Sequence, residues 1–303
     1  MLEELSFALS LVVSGASIGL MYALIALGFV LVYKATDAIN FAQGEFVMLA
    51  AYAGALTIGS SLGDGLLGVV AAVAMALGVM IAFSFALERT VLRPLLGRPV
   101  IAVIMATIGL AAILRGLPPI MPFGAQTKTL PLPIPDEPID LGFATISPIQ
   151  LLGVVVSLSC LAVFTWIFKK SRMGVAMRAV ADNQQVAMAM GINVERYFAL
   201  SWAMAGIVSA LGGIIWGSML GVDTQLALVG LKVFPVVILG GLDSIPGAII
   251  GGLIVGIVES LAAGYLDPYV GGGTKDFAPY VLMIIMLMFK PYGMFGKRRI
   301  ERI

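Results

Sequence analysis

The chain offers few residue types for chemistry. It contains no histidine and one cysteine, Cys160, which excludes imidazole acid–base steps and an internal disulfide and argues against a structural zinc site. No Ser/His/Asp constellation or metal-ligand set is visible. No G-x-x-x-x-G-K-[ST] phosphate loop occurs, and the nearest approach, Gly271-Gly272-Gly273-Thr274-Lys275, has the wrong order. The chain is therefore expected to need no cofactor of its own, and any ATP would be hydrolysed by another subunit. What remains are polar residues stranded in apolar surroundings: Glu45, Lys232 and Glu259. A charge at bilayer depth costs about 2.5 to 3.5 kcal/mol on insertion scales, so it faces a cavity or a partner. Glu45 adjoins a turn-like interruption, Asp37-Ala38-Ile39-Asn40, and is read as joining broken segments or touching a path. Lys232 and Glu259 are read as structural.

The elements that must position these groups are hydrophobic helices. Hydrophobic residues make up 60% of the 303, charged residues 12%, and the mean hydropathy is +1.05. A soluble domain carries about 25% charged residues and could not hide so much apolar surface from water. The 36 glycines suit helices that pack closely in lipid. Apolar runs bounded by charges or Gly/Pro clusters lie at Phe7–Tyr33, Phe41–Gly59, Leu66–Leu87, Val100–Leu114, Ile149–Phe168, Tyr197–Leu220, Leu226–Leu242, Ile245–Ala263 and Phe277–Phe289. The fold class expected is all-α, a polytopic membrane protein with about 8 to 9 transmembrane or re-entrant helices. The start, Met1-Leu2-Glu3-Glu4, lacks the basic leader of a cleavable signal, so the first run is read as a retained span. Trp166 and Trp202 are expected near the inner boundary, where aromatic belts lie.

Two runs adjoin breaks, Phe41–Gly59 and Leu226–Leu242, and are the candidates for re-entrant segments. Irregular backbone survives at membrane depth only where protein or a water cavity surrounds it. The residues at the breaks, Asn40, Gln43, Gly44 and Glu45 in one case and Gly240, Gly241 and Ser244 in the other, are therefore candidates for lining a translocation path. Pro246 is expected to open the helix after the second break.

Lysine and arginine give the orientation. With the N-terminus outside, the inner segments hold Lys34, Arg89, Arg93, Arg98, Lys169, Lys170, Arg172, Arg178, Arg196, Lys290, Lys297, Arg298, Arg299 and Arg302. The outer segments hold Arg115, Lys128 and Lys275, and this asymmetry satisfies the positive-inside rule. Arg115 is expected to mark the outer end of its span. The outer segment 116–148 carries Asp136, Glu137 and Asp140 and is expected to be an extended loop. The tail, 290–303, falls inside. The net charge of +1 says nothing about partners, but no basic stripe exists that would suit nucleic acid, and none is expected as a partner.

The inner loop, 169–196, is too polar to span and too rich in helix formers to be a flexible linker. Asp182 or Asn183 is expected to cap a short helix over Gln184–Met190 that Gly191 ends. Val186, Ala187 and Met190 are expected to share one exposed face. A short helix with an apolar, methionine-bearing face suits a groove in a cytoplasmic partner; the plainer alternative is a helix resting on the bilayer.

This loop resembles the cytoplasmic coupling segment of ABC importer permeases, with Ala187 and Gly191 in the alanine and glycine places. Further stretches resemble the branched-chain amino acid permease family, its LivH-type subunit: Gly19-Leu20-Met21-Tyr22-Ala23-Leu24-Ile25-Ala26-Leu27-Gly28, then Ile39-Asn40-Phe41-Ala42-Gln43-Gly44-Glu45-Phe46, and Val237-Ile238-Leu239-Gly240-Gly241-Leu242-Asp243-Ser244-Ile245-Pro246-Gly247-Ala248. The family commonly has histidine where this chain has Gln43, which keeps hydrogen bonding but excludes proton transfer there. The resemblance implies one permease domain over 1–303 in a bacterial or archaeal cytoplasmic (inner) membrane. It implies a second permease subunit forming a heterodimer, two ATP-binding subunits and an external solute-binding protein. It also implies alternating access for branched-chain amino acids, coupled through Asp182, Asn183, Val186, Ala187, Met190 and Gly191. The alternatives are a permease for urea or short amides and a stand-alone secondary transporter or channel. Scarce intramembrane charge and the partner-like inner loop weigh against the last.

Overall fold

A computed structural model describes residues 2–58, 65–95, 97–120, 126–135, 137–140, 142 and 144–296. Gly59, Asp136 and the tail cations Lys297, Arg298, Arg299 and Arg302 lie outside these residues. Among them are α1 (Leu2–Thr36), α2 (Gln43–Ile58), α3 (Leu66–Leu87), α4 (Val100–Gly116), α5 (Pro148–Lys170), α6 (Arg172–Asp182), α7 (Gln184–Ala189), α8 (Val194–Leu220), α9 (Leu228–Gly240), α10 (Ile245–Tyr265), α11 (Asp267–Val270) and α12 (Thr274–Phe289). Among the described residues six helices are long and apolar enough to cross a membrane: those at Glu4–Thr36, Leu66–Leu95, Val100–Ile120, Pro148–Lys170, Val194–Leu220 and Ile245–Tyr265. The expected polytopic helical architecture is present. The two runs beside breaks form short helices, α2 of 16 residues and α9 of 13. At 1.5 Å per residue these reach roughly 24 and 20 Å, short of a hydrocarbon core of about 30 Å.

Contacts divide the chain into two compact units, Met1–Ala26 with Ile134–Ser159 and Lys232–Ile303, and Leu27–Pro133 with Cys160–Leu231. In the second unit α2, α3 and α8 pack on one another. Small residues permit the closeness: a methyl at Gly213 would meet the Val47 carbonyl oxygen at 2.5 Å and the Ala50 methyl at 2.9 Å. Phe46 fills the centre between Phe83 and Trp202, with ring centroids 5.3 and 6.1 Å away. Trp202 is thus fully buried, its indole serving the core, whereas Trp166 is exposed. Past Leu87 the helix does not stop at the basic loop. It continues through a π-helical turn, Glu88–Leu92, where Arg93 pairs with buried Glu88 at 3.1 Å and with Glu195 at 2.9 Å.

In the first unit the N-terminal part of α1 lies against α10 through glycines four apart on each helix. Gly15 faces Gly256 and Gly19 faces Gly252, so close that a Cβ at Gly15 would sit 2.6 Å from the Gly256 carbonyl oxygen. Helix α10 also packs on α12. The 116–148 segment is more ordered than an extended loop. It holds a 3-10 turn, Pro118–Ile120, and an antiparallel hairpin of β1 (Ile139–Asp140) and β2 (Thr145–Ile146). Within the second unit, Lys128 makes a two-way backbone bridge to Val222.

Candidate functional site

Three stretches carry the polar chemistry, and each is set by local capping and turn chemistry. In the corner that follows α5, Ser171, Asn183 and Asn193 cap α6, α7 and α8 in succession. Their side-chain oxygens accept from the backbone N–H groups of Gly174, Val186 and Arg196, each at 3.0 Å. Asn183, not Asp182, is the cap of α7. That helix ends in a Schellman turn: Ile192 N–H donates to the Ala187 carbonyl and Gly191 N–H to the Met188 carbonyl, both at 3.0 Å. Gly191 sits at φ +81°, a left-handed conformation that glycine adopts without strain.

The expected shared face of Val186, Ala187 and Met190 is not what forms. Ala187 is 3% exposed and packs with Val180 and Val194, flanked by Ile192 and Tyr197. Val186, Met188 and Met190 point outward, Met190 being 78% exposed. A six-residue helix has too few backbone bonds to hold itself, so one side chain must anchor it, and Ala187 does. Behind α7 a polar cavity of about 270 Å³ is bordered by Lys34, Asp37, Asp182, Asn183, Gln184 and Gln185. The Gln184 side-chain amide donates to the Ala35 carbonyl at 3.4 Å, and Arg178 donates to the Phe168 carbonyl. The ammonium of Lys34 stands 5.3 Å from the Phe168 ring centre.

At the break between α1 and α2, Asp37 takes a left-handed φ of +56°, a conformation acidic side chains tolerate better than most. Asn40 and Gln43 are wholly buried. The Asn40 Oδ1 accepts from Ala42 N–H at 3.1 Å and its amide donates to Gln43 Oε1 at 3.2 Å. The Gln43 amide then donates to Ser209 Oγ at 2.9 Å. From α4, Thr107 Oγ1 accepts from Phe41 N–H at 3.3 Å. Gly44 lies against Ala227 and Gly230 with no room for a Cβ. Glu45, 2% exposed, is ion-paired with Arg115. Arg115 therefore does more than end its span; it neutralises the buried carboxylate. Ser209 and Thr107 are partners that sequence did not reveal, since a lone hydroxyl in an apolar run gives no sign of which helix it faces.

At the break between α9 and α10, glycine backbone replaces side chains. Gly240 and Gly247 touch backbone to backbone, and Gly241, at φ +100°, lies against Gly296. Ser244 Oγ accepts from Gly247 N–H at 3.0 Å, with Pro246 in the first turn of α10 as expected. The backbone N–H groups of Met294 and Phe295 donate to the carbonyls of Leu239 and Gly240. Nearby, Lys232 bonds Glu259 at 3.2 Å and Asp276 at 2.8 Å, linking α9, α10 and α12. Asp276 was not singled out from sequence. Among the described residues no group of three His, Cys, Asp or Glu side chains is placed to hold a metal ion.

Over residues 11–289 the sequence matches the family described as branched-chain amino acid transport system / permease component. The chain is 30% identical to the high-affinity branched-chain amino acid transport system permease protein LivH of Escherichia coli (strain K12), over 100% of both chains. It is 31% identical to the high-affinity branched-chain amino acid transport system permease protein BraD of Pseudomonas aeruginosa, again over 100% of both. A probable branched-chain amino acid transport permease protein LivH of Methanocaldococcus jannaschii is 31% identical over 90% of this chain and 88% of that one.

Proposed function

The chain belongs to the branched-chain amino acid transport system permease component family, and on that premise we propose that it is a membrane-spanning subunit of an ABC importer for leucine, isoleucine and valine. It pairs with a second, related permease subunit. Two ATP-binding subunits dock on the cytoplasmic side and an external binding protein delivers the solute. The N-terminus is outside, the tail is cytoplasmic, and the 116–148 segment faces the binding protein.

The observation that carries this reading is the geometry of the α7 corner. Three caps and a buried Ala187 hold a short helix rigidly, with Val186, Met188 and Met190 left outward as an apolar surface. A rigid lever of this kind transmits the closing of an ATPase dimer into a tilt of α5 and α8, which flank it in sequence. The Asn40–Glu45 and Gly240–Ser244 breaks border the path, and their short helices change tilt without lipid meeting unpaired backbone.

The test is uptake of labelled leucine in a strain lacking the gene, complemented by Met190→Glu or Val186→Glu. Neither side chain is buried, so the protein should insert and fold. Uptake and solute-stimulated ATP hydrolysis should both be lost. Undiminished uptake by both variants would sink the coupling role, and wild-type uptake of urea in place of leucine would replace the cargo.

A further inference from the structure

Helix α9 stops at the second break, and its last carbonyls have no further turn of their own helix to bond. A distant stretch of the first unit supplies the donors. Met294 N–H donates to the Leu239 carbonyl at 2.8 Å and Phe295 N–H to the Gly240 carbonyl at 3.2 Å. Leu239 and Gly240 are buried, so these carbonyls depend on protein donors. The fit is close: Gly293, at φ +74°, lies against the Ile238 carbonyl, and Gly296 lies against Gly241. The strip 291–296 is therefore the cap of α9, delivered from beyond α12.

The same strip carries an exposed surface of mixed chemistry. Phe289 is 80% exposed and Tyr292 and Phe295 are each 48% exposed. Lys290, among these rings, is exposed too. The sequence then runs Lys297-Arg298-Arg299-Ile300-Glu301-Arg302. Over 237–248 and 289–303 the acids are Asp243 and Glu301, against the cations Lys290, Lys297, Arg298, Arg299 and Arg302. The excess stays positive with every acid of both stretches counted. Aromatic rings interleaved with cations at the end of an apolar helix are the composition of a membrane interface. A cation cluster beside a span is drawn to anionic headgroups.

We propose that the strip and the cations that follow it dock on anionic lipid headgroups, and that this docking keeps the α9 cap closed. The rings enter the headgroup boundary and the cations hold lipid phosphates on its water side. The strip between them is thereby pressed onto Leu239 and Gly240. In neutral lipid the cations lose their counter-charge, and the two backbone bonds hold the strip alone. Soluble phosphate does not serve, because the rings need an apolar phase beside the anion. A run of like charge also needs a surface of opposite charge, which an anionic leaflet offers along its whole plane. The inference goes beyond the cargo and the coupling helix and depends on neither.

The complex, with its partner subunits, is placed in bilayers of phosphatidylcholine alone or mixed with phosphatidylglycerol. Hydrogen exchange is followed at Met294 and Phe295. Exchange there should be roughly tenfold slower in the anionic bilayer, the effect of several cations near a charged surface. The variant Lys297→Gln/Arg298→Gln/Arg299→Gln/Arg302→Gln leaves the strip itself intact, and the remaining inner lysines and arginines keep its orientation. It should exchange at the faster rate in both bilayers. The variant Arg298→Lys/Arg299→Lys/Arg302→Lys keeps the charge and should keep the lipid dependence. Equal exchange of the wild-type protein in both bilayers overturns the inference. So does a lipid dependence that survives neutralisation of the four cations. Protection that ignores the lipid and vanishes when the ATP-binding subunits are removed overturns it in favour of a protein groove. None of these readings uses transport, so a failure of leucine uptake strikes the proposed function separately.

Discussion

The break before α2 and the break before α10 solve one problem with opposite materials. Each interrupts a helix ladder in an apolar setting, and each must find partners for freed backbone groups. Before α2 the partners are side chains: Asn40 takes the Ala42 N–H and Thr107 of α4 the Phe41 N–H, while Asn40, Gln43 and Ser209 of α8 form a hydrogen-bonded chain. Before α10 they are backbone: Gly240 meets Gly247, and the 294–295 strip bonds the end of α9. A side-chain network has individually replaceable members and can rearrange. A glycine contact has no slack, because the touching atoms are the chain itself. The first break is therefore suited to adjust, the second to act as a fixed pivot.

Gly247→Val is the sharpest way to break that contrast, and it carries the largest expected effect. A Cβ there collides with the Gly240 carbonyl group, so a loss of about 4 kcal/mol or more is expected, seen as absence of monodisperse protein after extraction. A stable Gly247→Val protein would show that this break has slack. Next comes Gln43→Leu, which strands the Asn40 amide in a buried site and removes the donor to Ser209 Oγ, whose own proton stays on the Ala205 carbonyl. It should cost about 1 to 3 kcal/mol, read as a lowered thermal midpoint. Adding Ser209→Ala should recover part of that loss, since removing both partners leaves less unpaired; a double variant as unstable as the sum of the singles would deny the network. Thr107→Val keeps the shape and removes the acceptor for Phe41 N–H, for about 1 kcal/mol. It should raise hydrogen exchange at residues 39–42 ahead of any global effect. Smallest is Ser244→Ala, which deletes the α10 cap for about 0.5 to 1 kcal/mol. Because the glycine contact holds that break without it, uptake should be nearly unchanged.

Water-facing segments were legible in the sequence and lipid-facing ones were legible only as runs. The α7 corner shows the first case. Capping residues, helix formers and the terminating glycine are local signals, and the Asn183 cap and the Gly191 turn appear where the pattern put them. Even there the inward member of the apolar set, Ala187, was misplaced, because a short helix has no solvent contrast strong enough to rank three small hydrophobes. Trp202 shows the second case: an apolar run does not say which side chain turns inward, and the Trp202 indole packs on Phe46 in the core. The hairpin at 139–146 left no trace in a proline-rich stretch that reads as extended.

Composition, run length, cation asymmetry and family motifs by themselves determined that this chain is a helical membrane permease with two interrupted segments. Only the tertiary structure decided that Arg115 neutralises Glu45, that Ser209 receives Gln43, and that Asp276 completes the Lys232–Glu259 pair. The reason is the solvent. In water a helix must show which face is buried, because its two faces meet different media. In lipid the outside of a helix is as apolar as the inside of the bundle, so the sequence carries no stripe pointing to the partner helix, and pairing emerges only once the backbones are packed.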